Sequence, residues 1–170
     1  MADGEQPFWK TKSLRQMTQA EWESLCDGCG KCCLNKLIDT DTEELFFTNV
    51  ACRLLDTKSC QCTRYKDRSK LVEDCIPLTP RNVKTIRWLP DTCAYRLVAQ
   101  GKDLYDWHHL VCGDRNAVHR AGMSARGRII SEKDAGELED HLVDWVAGDR
   151  KSENRSRKSE AGSRKRTNRN

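Results

Sequence analysis

Ten cysteines set the chemistry open to this 170-residue chain. Cys26, Cys29, Cys32 and Cys33 read C-x-x-C-x-x-C-C, and Cys52, Cys60, Cys62, Cys75, Cys93 and Cys112 follow. Two intervening residues let the backbone turn and aim both sulfurs at one centre about 2.3 Å away, and a third cysteine at the same interval adds another corner. Successive side chains diverge, so Cys33 reaches the centre of Cys32 through an unusual turn or serves a second one. Nine or ten thiols suffice for two four-coordinate sites with one or two left over. A single centre is the simpler expectation, and which cysteines share it stays open.

Two metals suit such a set. Zinc in a closed four-thiolate shell would be structural, with a binding free energy of ~10 to 16 kcal/mol folded into stability. Iron, as an iron–sulfur cluster such as [4Fe-4S], accounts better for the C-x-x-C-x-x-C run, although the Cys-Pro that closes the ferredoxin arrangement is missing. A thiol switch would use only two of the cysteines. Four thiolates leave either centre with a net charge of about −2, which needs nearby cations or hydrogen-bond donors. Lys31, Lys36, Arg53, Arg64 and Arg68 lie close in sequence to the thiols. All but Arg68 read as ordinary surface charge. His108, His109, His119 and His141 lack the partner spacing of a zinc finger or metalloprotease and read as satisfied or solvent-facing. Asp39, Asp41, Glu43 and Glu44 lack the glycine and ligand order of a calcium loop and read as turn residues. The five tryptophans are dispersed, as core residues are.

The elements that position the thiols are short. Thr18 and Glu21 form a capping-box pattern, so a short helix delivers Leu25 and Cys26 into CDGCGKCC, where Gly28 and Gly30 allow tight folding. Strands are expected at 36–40 and 44–50, joined near Asp41. Thr79 and Pro80 read as N-cap and first position of a helix reaching Trp88, which Pro90 stops before a second helix, TCAYRLVAQ, with Cys93 on its first turn and Gly101 at its end. Residues 107–111 and 128–131 read as strands. Leu138, Leu142, Trp145 and Val146 share one face of an expected C-terminal helix.

Composition bounds the rest. With 37% hydrophobic residues, ten of them the cysteines, and 33% charged residues, core packing alone leaves little stability margin, and bound metal is the natural supplement. No apolar stretch approaches the ~20 residues of a membrane helix, and the first ten residues lack a leader pattern, so a soluble cytoplasmic protein with no membrane partner is expected. Ten cysteines in a reducing compartment favour metal over disulfides. The formal charge of +4 is lopsided: residues 149–170 hold nine Lys or Arg against three acids, which leaves the body net negative. That tail has no large apolar residue and is expected to be disordered. It gives no reason to call the folded part a nucleic-acid binder, beyond non-specific contacts of the tail.

The segments FWKTKSLRQMTQAEWESLCDGCGKCCLNKL, FTNVACRLLDTKSCQC and LPDTCAYRLVAQGKDL resemble the bacterial YcgN cysteine-cluster proteins over roughly residues 7–147. That group is similar to the broader CxxCxxCC class of zinc- or iron-chelating domains. Its pattern adds a cysteine with Tyr and Arg and then a further cysteine, here Cys62, Tyr65, Arg68 and Cys75. The resemblance implies metal chelation without naming a reaction. Related clusters in a flagellin lysine methylase bring an iron–sulfur enzyme within range. Tyr65 and Arg68 stand one helical turn apart, so both could face a cluster, Arg68 offsetting thiolate charge and Tyr65 donating to sulfur. Cys112 lies outside the pattern.

The expectation is therefore a single small α+β domain organised around cysteine-ligated metal, residues 1–148, followed by a disordered basic tail, residues 149–170. Its leading ligands are Cys26, Cys29, Cys32, Cys33, Cys52, Cys62 and Cys75, with Cys60 and Cys93 next. The leading function is metal binding, with zinc or iron, including a [4Fe-4S] cluster. The alternatives are an iron–sulfur redox or protein-modification enzyme and a zinc-stabilised scaffold presenting a surface to an unknown protein partner.

Overall fold

The chain starts on short helical turns. The computed structural model describes residues 4–148 and 166–169. Helix α1 (Phe8–Thr11) follows Pro7, and α2 (Gln19–Ser24) begins at the expected capping box. The Thr18 hydroxyl accepts from the Glu21 amide, and the Glu21 carboxylate accepts from the Thr18 amide at 2.8 Å. Two orphan amides of the first turn are thereby satisfied. Trp22 on this helix is buried and donates its indole N–H to the Leu78 carbonyl at 3.0 Å.

An antiparallel hairpin follows, β1 (Leu34–Asp39) and β2 (Leu45–Ala51), with Leu37 opposite Phe46 and Lys36 opposite Phe47. The buried Asp39 carboxylate closes its turn by accepting from the Asp41 and Thr42 amides. Both strands are buried over most of their length without alternation, because both faces of the hairpin are covered. β2 pairs in parallel with β3 (Ile130–Ser131) and antiparallel with β4 (Leu142–Val143), and β1 pairs antiparallel with β5 (Arg166–Arg169). The other helices are single turns or little more: α3 (Arg68–Leu71), α4 (Ala94–Ala99), α5 (His109–Cys112), α6 (Ala117–Arg120) and α7 (Glu132–Ala135). The architecture is a small α+β domain. Among the described residues no helix is long and apolar enough to cross a membrane.

Three expectations need correction. Residues 79–88 form successive turns, not a helix. There the Asn82 side chain accepts from the Thr79 amide and donates to the Pro77 carbonyl, and the Thr85 hydroxyl takes the Asn82 carbonyl. Local side-chain bonds of this kind compete with helix propagation. Residues 107–111, expected as a strand, turn into α5, whose first turn is capped by His108 Nδ1 accepting from the Leu110 amide. The expected C-terminal helix is a 3-10 turn at Leu138–His141 running into β4, since residues 142–143 find backbone partners on Thr48 and Phe47. Of the tail expected to be disordered, residues 149–165 and 170 lie outside the described residues. Residues 166–169 form β5 along the edge of β1, where a strand edge offers unpaired backbone groups.

Two apolar clusters flank the thiols. The first joins α2 and α4 through Trp22, Leu25, Trp88, Leu89, Tyr95 and Val98, with Cys32 and Cys93 packed against it. The second joins the hairpin to the 125–147 segment through Leu34, Phe47, Ala51, Leu55, Ala125 and Val146, with Cys60 inside it and Cys33 packed against it.

Candidate metal centre

Six of the expected ligands converge. Cys26, Cys32, Cys33, Cys52, Cys62 and Cys75 line one cavity of about 120 Å³, together with Tyr65 and Arg68 and a wall that includes Leu54, Leu55, Leu78, Trp88 and Tyr95. The α2 cap delivers Cys26, and Gly30 turns the loop back. Gly30 has φ +76°, and a Cβ there would stand 3.1 Å from the Cys60 Cβ, so glycine alone fits without displacement. The hairpin joins Cys33 to Cys52 through the Cys52 amide, which donates to the Cys33 carbonyl at 2.9 Å. An isolated bridge between Leu55 and Cys62 folds the next loop back, and the turn after α3 brings in Cys75.

The other four thiols stand elsewhere. Cys93 is the N-cap residue of α4, and its neighbour Thr92 accepts from Lys31 Nζ at 3.4 Å, which holds the C-x-x-C loop against this helix start. Cys29 lies in that loop, its amide bonded to Asp27 Oδ1 and its carbonyl to the Ala125 amide. Both thiols lie outside the cavity lining but within electrostatic reach of Cys32. Cys60, at φ +59°, is buried in the second cluster. It is two residues from Cys62 and turned into apolar packing. Cys112, on α5, is exposed.

Burial pushes the thiols of Cys29, Cys52, Cys75 and Cys93 upward, since a thiolate in a low-dielectric site lacks water to solvate it. The vicinal pair differs. Cys32 and Cys33 have sulfurs 3.9 Å apart, and the hydrogen bond between them pushes Cys32 down to about 7 and Cys33 up. A bound cation inverts this logic, because it stabilises every thiolate it touches.

The counter-charges are the residues the sequence misplaced. Lys31 and Lys36 are buried at 3% and 0% exposure, where surface charge was expected. Lysine is almost never fully buried unless paired. Lys36 Nζ donates to the carbonyls of Cys32 at 2.9 Å and Leu34 at 2.5 Å and lies 4.6 Å from the Trp88 ring centroid. Burial pushes its ammonium down to about 8, against the pull of Cys32, Cys33 and Cys52. A signal was available in hindsight, since Lys36 follows Cys32 by four residues. Arg68, the cation singled out, sits at the cavity mouth with its guanidinium 3.8 Å from the Tyr65 ring centroid. Tyr65 donates to Glu23 Oε2 at 2.5 Å instead of to a sulfur. Arg53 pairs with Glu132 and Arg64 with Asp67 at the surface, as expected of both. His108 is satisfied as expected, Nε2 donating to the Leu25 carbonyl while Nδ1 accepts. His119 and His141 also have partners.

The donor set fits a thiophilic metal. All six ligand-type residues on the cavity are thiols, which select zinc, copper(I) or iron–sulfur centres. Among the described residues no three Cys, His, Asp or Glu side chains are drawn together tightly enough to hold a single ion.

Comparison with known proteins agrees in class. Residues 25–94 match the CxxCxxCC family model, described as a "Putative zinc- or iron-chelating domain". A UPF0260 protein of Granulibacter bethesdensis is 63% identical over 82% of this chain and 84% of its own length. One from Mesorhizobium japonicum is 60% identical over 85% and 98%, and one from Rhizobium etli 56% identical over 86% and 96%. No solved structure matches. With six of its thiols on one cavity and this identity along most of its length, the chain belongs to the UPF0260 family of cysteine-cluster proteins.

Proposed function

We propose that this chain is an iron–sulfur protein, with thiolates of the cavity holding the cluster and Lys36 offsetting its negative charge. The observation that carries this reading is the cavity volume of about 120 Å³ among the sulfurs. A site for one water needs roughly 10 to 15 Å³, and a cavity of ~150 Å³ holds benzene. A zinc ion in direct contact with four sulfurs at about 2.3 Å leaves no such space, whereas a polynuclear cluster occupies it. When bound, the cluster supplies one-electron chemistry or an iron site for substrate. The chain's own part is to bind it through thiolates, shield it behind Trp88, Leu78 and Tyr95, and balance its charge.

A second reading, a redox or protein-modification enzyme, is favoured by the cavity's rim. Tyr65 and Ile76 line it and are 48% and 45% exposed, which leaves a reacting protein a route to the centre. Protein purified without oxygen tests the first reading. Broad visible absorption with stoichiometric iron and sulfide is expected. A colourless protein with stoichiometric zinc overturns it and supports the scaffold role.

A further inference from the structure

The vicinal pair Cys32–Cys33 is where the thiol set divides. Cys32 packs against the α2–α4 cluster, as Cys93 does, while Cys33 packs against the hairpin cluster. Cys33 is also bonded through its backbone to Cys52. Two cysteines adjacent in sequence thus face different bodies of packing, and each has its own companions.

Resting on the thiolate-metal reading above, we propose that the chain carries two metal centres, Cys26, Cys29, Cys32 and Cys93 holding one and Cys33, Cys52, Cys62 and Cys75 the other. The first four come from the loop after α2 and the cap of α4, clasped by Lys31 and Thr92. The second four come from the open end of the hairpin and the loops after it, tied by the Leu55–Cys62 bridge and by Arg53, whose guanidinium donates to the Leu71 carbonyl. Electrostatic neighbourhoods follow the same division. Cys93 feels Cys32 and Cys26, and Cys29 feels Cys32 and Cys93. Cys75 feels Cys52 and Cys62, and Cys33 feels Cys52. The links between the sets are Cys32, to Cys33 and to Cys75, and the cavity wall that Cys26 and Cys32 share with the second set.

The buried cations are also two. Lys31 lies beside Cys29 and Cys93, and Lys36 beside Cys32, Cys33 and Cys52. Two ammonium groups are thus withdrawn from water among the thiols, Lys31 next to the first set and Lys36 at the junction of the two, where they offset thiolate charge. Cys60 and Cys112 are then the two thiols left over, one in the core and one on the surface. Where the sequence led to the expectation of a single centre, this division gives two, joined at adjacent residues.

The test uses the full chain reconstituted without oxygen with iron and sulfide, and in parallel with zinc. Metal and sulfide per chain are counted, and cysteine protection from alkylation is mapped by mass spectrometry at increasing loading. Two centres per wild-type chain are expected, with protection appearing in two blocks, 26/29/32/93 and 33/52/62/75. Cys93→Ser and Cys75→Ser should each retain half the metal, and the double variant none. One centre per chain, or a protected block that mixes the sets, overturns the division while leaving thiolate metal binding intact. Absence of metal from the wild type under both conditions overturns both readings. The alkylation map needs no substitution, so a variant that fails to fold does not decide the outcome.

Discussion

The two walls of the thiol site are built differently. Cys26 and Cys32 hang from a loop that starts at α2, runs into β1 and is held against the start of α4, with Leu25 at 0% exposure and Trp22 4.7 Å from the Tyr95 ring centroid. Cys62 and Cys75 hang from residues 52–76, which hold one short helix and a series of turns and leave Tyr65, Leu71 and Ile76 exposed. That segment is fastened by local bonds, such as Asp56 accepting from the Lys58 and Ser59 amides. Apolar burial orders the first wall before any metal arrives. The second is packed only around Cys52, Leu55 and Cys60, so metal binding supplies much of the order beyond them.

Stripping the metal is the largest way to break this comparison. Amide hydrogen exchange should lose protection across residues 52–76 while amides of α2 and α4 keep theirs. Equal loss on both sides would remove the distinction. Next is core truncation in the metal-free chain. Leu25→Ala should cost about 2 to 5 kcal/mol by chemical denaturation. Val72→Ala, on a half-buried side chain of the second wall, should cost about 1 kcal/mol or less.

Charge balance sharpens the contrast further. Lys36→Met keeps the volume but removes the buried ammonium, and metal affinity measured by chelator competition should fall roughly 10- to 100-fold. Arg68→Met, at the solvent-facing mouth, should change it by only a few-fold. Cys60→Ala separates packing from ligation: metal content should stay at the wild-type value while stability falls by about 1 kcal/mol.

The smallest effect is pH-dependent and belongs to the α5 side of the first wall. Burial, with His108 beside it, pushes His109 from 6.5 down to about 4. The folded chain therefore holds His109 neutral where the unfolded chain protonates it, so stability is lost as pH falls from about 6.5 towards 4. Denaturation of the metal-free chain across that window should show a slope that His109→Gln flattens.

Legibility in the sequence followed locality. The α2 capping box, the hairpin and the helix after Cys93 all depend on contacts within a few residues, and all stand close to where their patterns place them. The failures are sites where distant partners won. Residues 142–143 became a strand because β2 offered backbone bonds, and the apolar spacing of 138–146 carries no trace of β2. Cys60 and Cys62 look equivalent in the pattern C-x-C, yet a left-handed backbone at Cys60 sends one into the core and the other onto the cavity.

What the sequence determined by itself was the kind of donor on offer, clustered thiols of the sort that suit a thiophilic metal, since cysteine type and spacing set donor atom and local reach. Which thiols stand together and which cations answer them was decided only by tertiary structure. Lys31 and Lys36 are charged residues in a charged chain until two apolar clusters close over them. Whether a lysine is solvent-facing or a counter-ion is a property of what covers it, and that covering comes from segments more than fifty residues away, Trp88 over Lys36 and Thr92 against Lys31.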